Sequence, residues 1–175
     1  MSEELAGKAQ DVDRTGWPKG VWDDEPDRVD WKTKAGLSAI ALRHPSGHWC
    51  GYVAVPPGHP AYGNDDESIV EVHGGVTFAN KCGGYVCHVP EPDEPAEVFW
   101  IGFDFAHCDD ASPSAWDEKE GWTRWSDDGR TAFWGPKATM GAVVKGLYRD
   151  LPYVRTECES VGKQLAAMKE SPTST

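Results

Sequence analysis

Between residues 37 and 105, apolar and polar positions follow one another in short runs that predict β-strands. The runs are rich in aromatic and β-branched residues and are separated by clusters of Gly, Pro, Asn and Asp, which favour turns. They cover residues 37–43, 49–55, 68–73, 76–78, 85–89 and 98–105. No helical pattern lies between them, so we predict an antiparallel, meander-like sheet.

Near the C-terminus the apolar positions follow a helical period instead. Spacings of 3, 4, 3, 4 and 3 residues join Leu151, Val154, Cys158, Val161, Leu165 and Met168 in one stripe. Asp150 suits the N-cap, and Pro152 suits the first turn. We predict an amphipathic helix that covers one face of the sheet. The alternative is a coiled-coil seam in a homo-oligomer, but the helix spans only about two to three heptads.

The segment 106–146 is polar and long, and it contains Trp122, Trp125 and Trp134. It predicts a long Trp-containing loop, centred on residues 111–135, because such segments in compact domains are usually functional loops or insertions. The chain has nine tryptophans. Their rings either pin down irregular loops or form an aromatic wall on which a base or another flat ligand stacks.

The remaining zones complete a prediction of one α+β domain over residues 14–170. Residues 1–13 are polar and predict a disordered N-terminus, and residues 171–175 predict a disordered tail. Residues 14–36 are rich in Trp, Asp, Gly and Pro and predict an ordered arm that lies on the domain. The domain then consists mainly of antiparallel sheet, with the long loop and the C-terminal helix packed on the sheet.

Charge and hydropathy exclude several classes of partner. With 175 residues, 29 Asp and Glu, 17 Lys and Arg and a net charge of −12, the chain lacks the basic surface of a general nucleic-acid binder. The same charge disfavours anionic membrane surfaces. Apolar runs are too short to span a bilayer, and the first residues do not resemble a signal peptide. We therefore expect a cytoplasmic protein.

Five cysteines are an odd number, and without a secretory signal free thiols are expected. Cys82, Cys87 and His88 have a spacing that could begin a zinc site. No second cysteine pair follows at the spacing of a zinc finger, so the sequence favours free thiols over structural zinc.

The strongest chemical feature is an apolar strand that ends in Asp104, His107 and Asp110. Residues three apart share a face if the chain turns into a helix there. Two carboxylates and an imidazole can bind a divalent metal ion, or can act as a general base with an orienting acid. The alternative is structural: the two carboxylates cap a turn and His107 hydrogen-bonds a buried carbonyl group.

A second strand-like run ends in His73, Gly74 and Gly75. Paired glycines allow a ligand to approach the backbone closely, and their N–H groups can bind an anion. A tight hairpin turn is the structural alternative. The common phosphate-loop, dinucleotide, α/β-hydrolase and zincin motifs are absent from the sequence.

An ordered set of motifs resembles a family of bacteriophage and prophage proteins that has no established activity. The resemblance covers about residues 16–166. The motifs are Asp24-Glu-Pro-Asp27, Trp49-Cys-Gly-Tyr-Val53, Gly58-His-Pro-x-Tyr-Gly63, Val72-His-Gly-Gly-Val-Thr-Phe78, Gly102-Phe-Asp-x-Ala-His107 with Asp110, and Tyr148-Arg-Asp-Leu-x-Tyr-Val154 with Glu157-Cys158.

The chain departs from the family pattern at four places. Val76 and Phe78 replace Leu and Tyr, Phe105 replaces Cys, and Cys108-Asp109 replaces Ala-Gly. The resemblance implies a phage context, the host cytoplasm and a pocket built from these polar, glycine-rich motifs. This chain retains the family's two carboxylates and imidazole at Asp104, Asp110 and His107, but it lacks the family's thiol at position 105.

Three functions are compatible with these features, and the sequence favours the first over the two alternatives. The first is a phage-encoded protein that binds a small nucleotide-like ligand, for example to sequester a host immune signal, with Arg149 or Arg155 holding phosphate. Its predicted ligand-binding residues are His73, Gly74, Gly75, Trp100, Asp104, His107, Tyr148 and Arg149. The second is a hydrolase of nucleotide-like phosphoesters with candidate catalytic residues His73, Asp104, His107 and Asp110 and a divalent metal as an option, not a requirement. The third is an acidic module that inhibits a host protein.

Overall fold

The structure, a computed structural model, describes residues 2–114, 121–136 and 144–168. A five-stranded antiparallel sheet forms the centre, in the order β1-β2-β3-β5-β4. Its strands are β1 (Arg28–Lys32), β2 (Ser38–Arg43), β3 (Trp49–Val55), β4 (Phe78–Lys81) and β5 (Phe99–Asp104). The predicted antiparallel sheet and α+β class are therefore confirmed.

The central strands β3 and β5 are apolar on both sides, because the sheet is covered on both faces. Side chains of a strand alternate between faces. Ile101, Phe103 and Phe105 join the core on one face, whereas Trp100 joins a second apolar cluster on the other face. Odd-numbered residues at the end of β5 therefore face the core that α2 covers, and even-numbered residues face the opposite side of the sheet.

The predicted C-terminal helix is confirmed. A short helix α1 (Ser2–Leu5) opens the chain, and the long helix α2 runs over Leu151–Ala166. The Asp150 side chain accepts a hydrogen bond from the Tyr153 backbone N–H at 3.1 Å and so caps α2. The buried stripe of α2 packs on β3, where a Cβ on Gly51 would lie 3.0 Å from Cys158 Sγ.

The structure differs from the prediction in the Trp-containing segment. A second, four-stranded sheet occupies its described part, in the order β6-β9-β8-β7. The strands are β6 (Asp110–Ala111), β7 (Gly121–Trp125), β8 (Thr131–Pro136) and β9 (Val144–Tyr148). The sequence does not predict these strands, because turn-forming residues and isolated tryptophans interrupt the runs of apolar residues that indicate a strand. Trp125 packs edge-on against the buried Trp22 at 4.8 Å, so this ring pins the sheet to the core.

Two predicted strands are turns in the structure. Residues 68–73 contain no strand, since Asp66 and Gly75 hold local turns through bonds to the Ser68 and Val72 backbone. Residues 85–89 contain only a single bridge between Val86 and Gly83. Conversely, residues 28–32 of the predicted arm form β1.

The cysteine prediction needs correction, because Cys82 and Cys87 form a disulfide. The loop between them folds back, which brings the two Cα atoms to 4.6 Å. Cys50, Cys108 and Cys158 are free thiols.

The N-terminal residues lie along the sheet edge. Gly7 donates a backbone hydrogen bond to the Cys87 carbonyl at 3.0 Å, and Arg28 donates to the Lys8 carbonyl at 2.9 Å. The predicted tail 171–175 falls outside the described residues. In the described part of the chain, the helices are too short or too polar to cross a bilayer.

Candidate functional site

Two imidazoles converge on one carboxylate oxygen, and two of these three residues follow the C-terminal end of β5. His73 Nε2 lies 2.9 Å from Asp110 Oδ2, and His107 Nδ1 lies 3.2 Å from the same oxygen. The three donor atoms lie within 4.8 Å of one another. We call His73, His107 and Asp110 the His–Asp–His group.

The fold brings these residues together from separate elements. His73 lies in the turn after residue 72, and its backbone N–H donates to Glu157 Oε2 of α2 at 3.0 Å. Its Nδ1 lies 3.2 Å from the Tyr153 hydroxyl, also on α2. Asp110 begins β6 and accepts the His107 backbone N–H at 3.1 Å. Helix α2 therefore orients one imidazole, and the turn before β6 holds the other.

Gly74 is required for the position of His107. Its φ of +71° is the left-handed conformation that glycine adopts without strain. A Cβ at this position would lie 1.9 Å from Cε1 of His107, inside the ring's own volume. Gly75 has a similar φ of +83°, yet a Cβ there would meet nothing within 4 Å. Of these two glycines, only Gly74 is needed so that the His107 ring can lie against the backbone.

Asp110 is held as an anion. Its burial opposes ionisation, but hydrogen bonds from Arg149, His73 and the His107 backbone outweigh that cost and keep the pKa of Asp110 below its ordinary value. Arg149 Nε donates a hydrogen bond to Asp110 Oδ1 at 2.9 Å, whereas the two imidazoles contact the other carboxylate oxygen, Oδ2. The Arg149 guanidinium also lies 3.6 Å from Asp109.

Of the predicted site residues, the structure brings together His73, Gly74, His107, Asp110 and Arg149. Gly75 adjoins them in the same turn but makes no side-chain contact of its own.

Asp104 and Trp100 do not join the group. Asp104 accepts the Ala106 backbone N–H at 3.1 Å and influences the ionisation of Cys50 and Tyr52 on the opposite face. Trp100 is fully buried on that face, and its Nε1 donates to Cys82 Sγ at 3.4 Å. The even positions of β5 point away from the His–Asp–His group.

Tyr148 belongs to a different, buried polar network. Its hydroxyl donates to Glu25 Oε2 at 2.5 Å and accepts from Arg43 Nη1 at 2.8 Å. Glu25 also accepts from Trp49 Nε1 at 3.2 Å and from the Leu151 backbone N–H at 2.7 Å. This network ties the sheet to the start of α2.

Sequence reasoning missed two neighbours of the group, Tyr153 and Glu157. They lie four residues apart on α2, off the apolar stripe, and this spacing was the available signal. It also missed His48, whose pKa falls to about 4 through burial and repulsion from His44. The carboxylates of Asp104 and Asp110 partly offset this decrease in the pKa of His48.

A second polar feature lies on the opposite face of the sheet. His88 is 7% exposed, and among the described residues neither ring nitrogen has a hydrogen-bond partner. Burial is the main cause that lowers the pKa of His88. Cavities of about 330 and 520 Å³ adjoin its ring, the first also lined by Trp31 and Lys32.

Comparison of the chain with protein-family models, with curated proteins and with solved structures finds no match in any of the three.

Proposed function

We propose that the protein is a hydrolase that activates a water molecule at the His–Asp–His group, with a nucleotide-like phosphoester as its substrate class. The observation that carries the proposal is the convergence of two imidazoles on one oxygen of an ionised carboxylate, at 2.9 and 3.2 Å. Such a group either accepts a proton from water or holds a metal ion that ionises water.

The surroundings of the group suit a hydrolytic site. The His107 side chain is 31% exposed and the His73 side chain 14%, so water reaches the imidazoles, whereas the Asp110 side chain is fully buried. Arg149 lies beside the group, with its Nε on Asp110 and its Nη2 3.6 Å from Asp109. A phosphate oxygen would replace Asp109 as a partner of this guanidinium, since guanidinium groups pair well with phosphate. Nucleophile activation and substrate charge would thus be handled within one site.

Local charge favours turnover over simple capture of an anion at this place. Asp110 lies at the centre, Asp109 and Glu157 flank it, and Arg149 is the cation in contact. A buried carboxylate repels phosphate in a binding site and in a hydrolytic site alike. In a hydrolase it has a compensating role, because it orients an imidazole or a metal ion.

The test uses the full chain and bis(p-nitrophenyl) phosphate, followed by a set of linear and cyclic nucleotides. We expect His107→Gln and Asp110→Asn to lower turnover at least about 100-fold. Asp104→Asn is the matched control, since it neutralises a carboxylate of the same chain segment that faces the other side of the sheet and bonds to the Ala106 backbone N–H instead. Equal turnover by wild type and His107→Gln, or none by wild type on any substrate, would overturn the proposal.

A second candidate is a phage-encoded small-molecule binding protein that sequesters a nucleotide-derived signal. The smaller cavity beside His88 favours it, because Trp31 on its wall offers a ring for stacking and Lys32, which is paired with Glu94, offers a cation for phosphate. Denaturing the purified protein and identifying released molecules by mass spectrometry tests it. Release of a nucleotide from wild type but not from His88→Leu would support this candidate, and no release together with no thermal shift by nucleotides would end it.

A further inference from the structure

We propose that the His–Asp–His group binds one divalent first-row transition-metal ion, with zinc(II) as the type case, through His73 Nε2, His107 Nδ1 and Asp110 Oδ2. This inference rests on the site of the proposed function and specifies its cofactor. Two imidazoles and one carboxylate suit zinc, cobalt, nickel or iron(II) better than magnesium or calcium, which prefer oxygen ligands alone.

The distances fit a small ion. Donors at about 2.0–2.2 Å from a tetrahedral ion lie about 3.3–3.6 Å from one another. Here the two nitrogens lie 2.9 and 3.2 Å from Asp110 Oδ2, and no pair of the three donors exceeds 4.8 Å. Two of the three separations are therefore already close to the tetrahedral spacing, and binding would require chiefly that the two imidazole nitrogens approach each other.

The neighbours orient each donor in the way that metal ligands need. The Tyr153 hydroxyl lies 3.2 Å from His73 Nδ1, so this nitrogen can carry the proton and leave Nε2 to the ion. Arg149 Nε holds Asp110 Oδ1 at 2.9 Å and leaves Oδ2 directed at the imidazoles. Gly74 lets the His107 ring lie close to the turn. These outer contacts make the group preorganised.

The group leaves room for a water ligand. Three protein donors with an open fourth position are typical of catalytic zinc, whereas structural zinc has four protein ligands. The open side is that of His107, whose side chain is the most exposed of the three at 31%. The charge of Arg149 is opposed by Asp109 at 3.6 Å and by Glu157 on the His73 backbone, so the surroundings do not repel a cation.

The test is a titration of the chelator-treated full chain with cobalt(II), followed by visible absorption, and with zinc(II), followed by calorimetry. We expect one equivalent of either metal to bind. His73→Gln, His107→Gln and Asp110→Asn should each weaken binding at least about 10–100-fold, while Asp104→Asn should bind as the wild type does. Circular dichroism checks that each variant is folded.

A second measurement does not depend on variants. In NMR spectra of the wild type, zinc should move the ring signals of His73 and His107 and leave those of His59 and His88 unchanged. Absence of one-equivalent binding by the folded wild type, or unchanged His73 and His107 signals, would overturn the inference.

Different outcomes would reject the hydrolase and the metal site. Turnover that survives a chelator and is lost in His107→Gln would keep the hydrolase and reject the metal. One-equivalent metal binding without turnover of any phosphoester would keep the metal site and reject the hydrolase.

Discussion

The ring of His107 lies against Gly74 so closely that a Cβ on Gly74 would be 1.9 Å from His107 Cε1. Gly74→Ala should therefore displace the ring and weaken metal binding at least about 10-fold. Gly75→Ala is the matched control, because Gly75 has nearly the same backbone conformation and open space around it.

Backbone strain should cost each variant about 1–2 kcal/mol of unfolding free energy, since alanine is strained at a positive φ. Gly74→Ala should cost more than Gly75→Ala, because it also displaces the His107 ring. Chemical denaturation measures that cost, and the cobalt titration measures the site. If Gly75→Ala damages binding as much as Gly74→Ala does, backbone strain and not the ring contact is responsible.

The buried pair Arg43–Glu25 should be a main determinant of stability. Arg43 is 0% exposed, and its Nη2 lies 2.9 Å from Glu25 Oε2. Glu25→Ala removes that partner and also leaves Tyr148, Trp49 and the Leu151 N–H without their acceptor. We expect a loss of about 3–5 kcal/mol in urea unfolding.

Glu97→Ala is the control for this prediction, since Glu97 pairs with Lys81 on an exposed surface. Exposed pairs of this kind contribute little. A loss for Glu25→Ala no larger than that for Glu97→Ala would show that Asp27, which also binds Arg43 at 2.8 Å, suffices to hold the guanidinium.

Thiol reactivity should distinguish the five cysteines. Burial raises the pKa of Cys50 to about 12 and also raises the pKa of Cys158, so neither forms the reactive thiolate at pH 8. Cys108 is exposed, and Cys82 and Cys87 are joined.

Intact mass after treatment with iodoacetamide at pH 8 should thus show one modification in the native protein. Unfolding without reductant should give three, and unfolding with reductant five. Five modifications without reductant would contradict the disulfide, and rapid modification of Cys50 in the native state would contradict its burial.

Acid should destabilise the protein in part through His48. Its pKa is about 4 in the folded state, against 6.5 for the free side chain, because burial and His44 disfavour the charged form. Between these two pKa values, His48 is protonated in the unfolded chain and neutral in the folded chain. The free energy of unfolding therefore falls as the pH drops from 6.5 towards 4.

His48→Asn keeps a polar atom near Ser46, which lies 3.0 Å from His48 Nδ1, and removes the titration. The variant should lose less unfolding free energy than the wild type between pH 7 and pH 5, as measured by urea denaturation. Equal losses in the two proteins would assign the acid sensitivity to other groups.

The sequence by itself determined the parts of the fold that depend on local periodicity. The short apolar run Trp49–Val55, bounded by turn-forming residues, predicted β3, and the helical stripe from Leu151 to Leu165 predicted α2, because both patterns lie within one continuous segment of the chain. The cap at Asp150 was also a local signal. The second sheet gave no such local signal, since its short strands are stabilised by residues distant in the sequence, such as Trp22.

Only the tertiary structure decided which polar residues form one site. Asp104 and Asp110 look equivalent in the sequence, yet strand parity sends the first to the opposite face, while the turn before β6 brings the second to His107. His73 reaches Asp110 across 37 residues, and Glu157 and Tyr153 come from α2. Side-chain type is read from the chain, but the distance between two side chains depends on strand pairing and helix packing, which are nonlocal.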